Sequence, residues 1–156
     1  MRVLAIDPGY DRLGVAIMEK GPGEGTLLFS TCVVTNRTDS FVDRLQQIGA
    51  EINALCDTYS PSAIALERLY FNTNQKTVMQ VAEVRGVMLY LAGLRGCRML
   101  EYTPQEVKVA VTGYGKSDKK HVTLMVKRLL PGVKNDALDD EYDAIAIALT
   151  ALASAR

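Results

Sequence analysis

The sequence predicts an α/β fold: a five-stranded mixed sheet with helices on both faces. Three observations point there. The chain opens on three short apolar runs separated by glycine-containing turns. Two further short apolar runs then alternate with longer segments of helical period. The 156 residues are 48% apolar, enough to bury one core but too few for a two-lobed enzyme. A strand meander followed by alternating helices and strands packs as three layers, α/β/α. A single domain over 1–156 is therefore expected.

Residues 3–7 (VLAID) read as a buried strand. Pro8-Gly9 turns the chain directly after Asp7. Residues 13–18 (LGVAIM) pair back, and GPGEG at 21–25 makes the next turn. Residues 27–35 complete an antiparallel meander, with Thr31, Val33 and Val34 favouring extended backbone. Ser40 is a suitable helix N-cap. Beyond it Phe41, Leu45, Ile48, Ile52, Leu55 and Tyr59 recur at three- and four-residue steps, opposite Asp43, Arg44, Gln47 and Glu51. That helix leads to a strand at 63–67 (AIALE), and a helical crossover makes it parallel to the first.

Residues 68–74 read as a polar-aromatic loop before a helix over 75–94. This helix carries two apolar stripes, Met79, Ala82, Gly86, Leu89 and Gly93 on one and Val81, Val84, Met88 and Leu91 on the other. One stripe is expected to cover the sheet and the small-residue stripe to meet a second subunit; the alternative is a wholly internal helix. A fifth strand follows at 98–102. Thr103-Pro104-Gln105-Glu106 is a helix start with cap, N1 proline and N3 glutamate in place. A basic helix is expected over 119–130 and a last helix over 139–153.

Four acidic residues stand at element ends. Asp7 and Glu67 close two strands expected to be parallel neighbours, so both emerge at one sheet edge. Asp140 and Asp143 lie one turn apart on the last helix, above the alanine-rich face Ala144, Ala148 and Ala151. Carboxylates gathered this way repel unless protonated or neutralised by cations. Oxygen ligands suit hard divalent ions, and Mg2+ needs only a few carboxylates with water and phosphate. Two such ions about 3.5–4 Å apart are suited to phosphodiester hydrolysis. The three cysteines, Cys32, Cys56 and Cys97, are widely separated and there is one histidine, so a zinc site is disfavoured. Simpler readings exist for each acid alone: turn chemistry for Asp7, solvation for Glu67, and the helix dipole for Asp139, Asp140 and Glu141.

Net charge is zero but segregated. Residues 1–67 carry −4, residues 68–128 carry +7 and residues 129–156 carry −3. A basic middle between acidic ends suits a nucleic-acid binder, and chance segregation on a solvated surface is the simpler alternative. Lys108, Lys116, Lys119, Lys120, Lys127 and Arg128 supply a candidate phosphate track, with Lys127 and Arg128 the ones that simple solvation would also explain. Tyr70 and Phe71 follow Glu67 closely and are candidate base-stacking groups; Phe71 would otherwise pack into the core. His121 is expected at the surface or on a phosphate. No segment has the length of a membrane span, and neither the start of the chain nor its cysteine usage suggests secretion, so a cytoplasmic setting is expected.

The segments AIDPGYDRLGVAI (5–17), ALERLYFNTN (65–74), EVRG (83–86), TPQEVKVAVTGYGKSDKKHV (103–122) and DDEYDAIAIA (139–148) together resemble the RuvC crossover junction endodeoxyribonuclease family. The resemblance spans roughly 1–151. It implies a ribonuclease H-like fold, a homodimer, and cleavage of four-way Holliday junctions in homologous recombination and DNA repair. It also implies two Mg2+ per site, replaceable by Mn2+, and branch-migration helicases as partners. The family's catalytic, metal-binding carboxylates fall on Asp7, Glu67, Asp140 and Asp143; the DxxD spacing selects Asp140 over its neighbour Asp139. Its DNA-binding lysines fall near Lys108 and Lys119, with Lys116 and Lys120 alongside, and its base contact falls on Tyr70. The chain stops soon after the last helix, where many relatives carry a tail.

The expected activity is metal-dependent hydrolysis making paired symmetric nicks with 5′-phosphate and 3′-hydroxyl products. Three rivals are a ribonuclease H-type enzyme acting on RNA–DNA hybrids, a non-catalytic junction-binding protein, and an actin-like ATPase or sugar kinase. The last needs a second lobe that this length does not supply.

Overall fold

A computed structural model describes residues 1–68 and 75–155, with the backbone alone at 75 and 76. The strands are β1 (Arg2–Asp7), β2 (Arg12–Glu19), β3 (Thr26–Val34), β4 (Ala63–Glu67) and β5 (Arg98–Tyr102). The helices are α1 (Phe41–Tyr59), α2 (Gln75–Leu94), α3 (Pro104–Thr112), α4 (Lys119–Leu129) and α5 (Asp139–Ser154). The sheet order is β3-β2-β1-β4-β5. The meander is antiparallel, while β1–β4 and β4–β5 are parallel. The register pairs Ile6 with Leu66, so Asp7 and Glu67 leave the same edge side by side.

Alternation along the strands sorts the side chains by size as well as by face. Leu4, Ile6, Leu13, Val15, Ile17, Ile64 and Leu66 face α1 and α2. Val3, Ala5, Ala16, Met18, Ala63 and Ala65 face α3, α4 and α5. The small side chains on the second face let α5 settle deep on the sheet, where its run from Glu141 to Leu152 is buried, Asp143 apart. Approach is closest at Gly14 of β2, where a Cβ would stand 1.8 Å from the Asp140 carbonyl oxygen. A glycine is therefore required there, and it fixes where the first turn of α5 lies.

The expected caps are present. Ser40 accepts from the Asp43 amide, and Thr103 forms the reciprocal capping box with Glu106. One reading of α1 needs correction: Arg44, expected on its polar face, is buried. It lies on the inner line Arg44, Ile48, Ile52 and Cys56. Its guanidinium donates to Thr35 Oγ1 at 2.9 Å and to the Tyr10 carbonyl at 2.8 Å, and also pairs with Asp11. Those partners compensate the burial of the charge.

Helix α2 is not internal in this chain. Val84, Met88, Leu91 and Ala92 are buried against the sheet. Met79, Leu89, Tyr90 and Leu94 are exposed, Met79 by 67% and Tyr90 by 69%. Gly86 and Gly93 open onto empty space.

Candidate active site

The carboxyl ends of β1 and β4 and the first turn and a half of α5 meet at one edge of the sheet. A cleft of about 290 Å³ there is lined by Asp7, Glu67 and Asp143 together with Lys108 and Lys119. Asp140, one turn back on α5, opens into an adjoining cleft with Gly9, Tyr10, Asp11, Arg12 and Arg37. The four acids read from the sequence thus form one neighbourhood divided between two clefts. Asp139 points outward, its side chain 68% exposed against 20% for Asp140.

Asp7 shows how closely the charges are coupled. Its carboxyl is raised from 3.8 to about 7, first by burial and then by Asp143, Glu67 and Asp140, against the relief given by Lys119. Burial also raises Glu67, helped by Asp143 and opposed by Lys108 and Lys119. Asp143 is raised by burial despite the Lys119 hydrogen bond that lowers it. Burial disfavours the Lys119 ammonium, but its bond to Asp143 holds its proton above the ordinary lysine range.

Two side-chain cations stand among the acids. Lys119 Nζ is 2.8 Å from Asp143 Oδ2. Arg12 Nε is 3.1 Å from Asp140 Oδ2, yet that buried oxygen accepts no hydrogen bond among the described residues. Also among the described residues, no three acidic, histidine or cysteine side chains are gathered into a closed ligand set. The pocket nevertheless fits a hard divalent cation. It presents three carboxylates against Lys108 and Lys119, and the orphaned Asp140 oxygen lies in the adjoining cleft. Asp7, Glu67, Asp140 and Asp143 are the residues placed to hold such an ion.

The candidate DNA contacts divide. Lys108 and Lys119 line the acidic cleft. Lys116 and Lys120 are exposed on the loop and first turn beside it, as is His121. Lys127 is not merely solvated: it donates to the Asn135 carbonyl at 3.2 Å and lies 5.0 Å over the Tyr142 ring. Tyr70 and Phe71 lie outside the described residues.

Besides Arg44, sequence reading missed three groups. Arg85 of α2 donates to the Glu67 carbonyl at 3.2 Å and pairs with Glu101 of β5, pinning the end of β4. Glu141 is buried and accepts from Ser30 at 2.5 Å, anchoring α5 to β3. Arg12 and Arg37 reach the Asp140 cleft from a segment whose net charge is negative. The four-residue spacing 44–48–52–56 would have revealed Arg44; the other three depend on contacts distant in the chain.

The sequence model of the crossover junction endodeoxyribonuclease RuvC family matches residues 3–151. The protein of that name from Syntrophomonas wolfei is 40% identical over 156 residues, covering 100% of this chain and 91% of the relative. The one from Thermosipho melanesiensis is 41% identical over 148 residues, covering 95% of this chain and 94% of the relative. The structure of Thermus thermophilus RuvC in complex with Holliday junction substrate is similar at a TM-score of 0.89 and 31% identity, covering 96% of this chain and 92% of that one. With a family model over nearly the whole chain and relatives about 40% identical along their length, this chain belongs to the RuvC crossover junction endodeoxyribonuclease family.

Proposed function

We propose that this protein is a Holliday junction resolvase, a structure-selective endonuclease that makes paired symmetric nicks in four-way DNA junctions during recombination and repair. One observation carries the reading: Asp7, at the end of the central strand, is surrounded by three other acids in clefts lined also by Lys108, Lys119, Arg12 and Arg37. A binding protein gains nothing from acids placed where phosphates must approach.

Asp7, Glu67, Asp140 and Asp143 would hold Mg2+ or Mn2+, two per site, which when bound supplies Lewis acidity to the attacking water and the departing 3′ oxygen. The chain's own groups do the rest. Lys108 and Lys119 draw a strand's phosphates to the cleft, with Lys116 and Lys120 extending the track. Carboxylate oxygens not engaged by Lys119 or Arg12 accept from a water and aim it in line with the scissile P–O bond. Gly14 and Arg85 fix the elements that carry Asp140 and Glu67. Cleavage leaves a 5′-phosphate and a 3′-hydroxyl, ends that can be religated.

The exposed α2 stripe around Met79, Gly86 and Leu89 supports a homodimer, in which small residues admit a second copy closely. A two-fold dimer matches the two-fold symmetry of a four-way junction and sets one acidic centre on each of two strands. Branch-migration helicases are the expected protein partners, and the cytoplasm the expected compartment. No helix among the described residues is long and apolar enough to cross a membrane.

The test is substrate choice. With Mg2+, a mobile four-way junction should be nicked while a linear duplex and an RNA–DNA hybrid of equal length are left intact. Hybrid cleavage would indicate a ribonuclease H-type enzyme, and junction binding without cleavage a binding protein.

A further inference from the structure

The geometry points to a second phosphodiester-binding site, built by Arg12 and Arg37 on the opposite flank of the acidic centre from the lysines. The inference rests on the endonuclease reading, since its ligand is the backbone of the strand being cut.

The strand order locates it. Lys108 and Lys119 approach Asp7 from α3 and α4, and α3 follows β5 at one end of the sheet order. Arg12 begins β2 and Arg37 follows β3, at the other end. Both guanidiniums line one open cleft of about 560 Å³ that also contains Asp140. A strand laid over Asp7 therefore meets cations on both sides of the cut.

Charge counting favours an anion there. Three guanidiniums, Arg12, Arg37 and Arg44, face two carboxylates, Asp11 and Asp140. Asp11 is already neutralised by the buried Arg44, so Arg37, 2.9 Å from the same carboxylate and 80% exposed, is surplus charge. Arg12 is half exposed and pairs with Asp140 through Nε at 3.1 Å, which leaves the outer edge of its guanidinium for a phosphate. A planar guanidinium fork suits phosphate oxygens. Arg44, Thr35 and the Tyr10 carbonyl tie the turn before Arg12 to the segment after β3 that carries Arg37.

The experiment measures binding of a fluorescent four-way junction across a salt series in EDTA, where nothing is cut. Each of Arg12→Gln and Arg37→Gln should weaken binding and lower the slope of log affinity against log salt by about 1, and the double variant by about 2. Arg12→Lys with Arg37→Lys should restore the slope. Arg98→Gln, at the opposite edge of the sheet, controls for a generic loss of charge and should leave the slope unchanged. The thermal midpoint of Arg37→Gln should stay at the wild-type value, because that side chain is 80% exposed. Wild-type slopes in both glutamine variants would overturn the site. So would reduced nicking by Arg12→Gln with unaltered binding, which would make Arg12 a positioning residue for Asp140. Competition by free inorganic phosphate at millimolar levels equal to that by DNA would mark a generic anion site instead. If wild-type protein neither binds nor nicks the junction, the endonuclease reading itself fails.

Discussion

Lys119 of α4 sets its ammonium nitrogen 2.8 Å from Oδ2 of Asp143 on α5. The ion pair closes the acidic cleft with a charge the protein carries itself, and a divalent cation would draw on the same oxygen. Lys119→Met removes that competitor. In the absence of DNA, Mg2+ should then raise the thermal midpoint of the variant more than that of wild type. Its junction nicking should fall at least tenfold, about 1.4 kcal/mol in the barrier. Equal Mg2+ stabilisation of the two proteins would show that Lys119 does not shield Asp143.

Asp7 makes the site a source of instability when no cation is bound. Its folded pKa of about 7 lies above the ordinary 3.8, so between these values the folded chain holds a proton the unfolded chain has lost. Stability contributed by that proton is present at low pH and lost as pH rises through about 7, a change on the order of a few kcal/mol. Glu67 and Asp143 shift in the same direction. In EDTA, Asp7→Asn should therefore unfold at a higher temperature than wild type at pH 8 and lose most of that advantage at pH 4. The same variant should bind junctions and not cut them. A variant less stable than wild type at pH 8 would contradict the assigned crowding of charge.

Gly14 tests the seating of α5. An added Cβ would stand 1.8 Å from the Asp140 carbonyl oxygen and 2.4 Å from its carbon, both backbone atoms that move only with the helix. Gly14→Ala should cost about 2–4 kcal/mol in denaturant unfolding and abolish nicking, because Asp140 and Asp143 move together. Wild-type stability in this variant would mean that α5 rides higher on the sheet.

Leu89 is 43% exposed on the outer stripe of α2. Leu89→Glu should leave the fold of the single chain intact and shift light-scattering mass from dimer to monomer. Paired nicking should give way to slow, unpaired nicks. A dimer that survives this change would place the two-fold interface elsewhere.

Most of the frame was legible because local patterns agree with it. Ser40, the Thr103–Glu106 box and the AIALE run each specify an element without help from distant residues, and every strand and helix follows the expected order. The four acids were legible for a related reason: Asp7 and Glu67 end strands whose parallel pairing follows from a helical crossover, and Asp140 and Asp143 share a helix face. What escaped were charges whose partners are far apart in sequence. Arg44 looked polar until Asp11 and Thr35 closed over it, and Arg85 reaches the Glu67 carbonyl only through the tertiary fold. Average charge misled at Arg12 and Arg37, since a segment of net −4 places two of its five cations in one cleft.

The most direct measurement maps nicks in a four-way junction labelled on each 5′ end, with Mg2+, for wild type and for Asp7→Asn, Glu67→Gln, Asp140→Asn and Asp143→Asn. Wild type should cut two opposing strands at symmetric positions, and each substitution should abolish cutting while junction binding persists. Undiminished cutting by any one of the four variants would contradict a centre built from all four carboxylates.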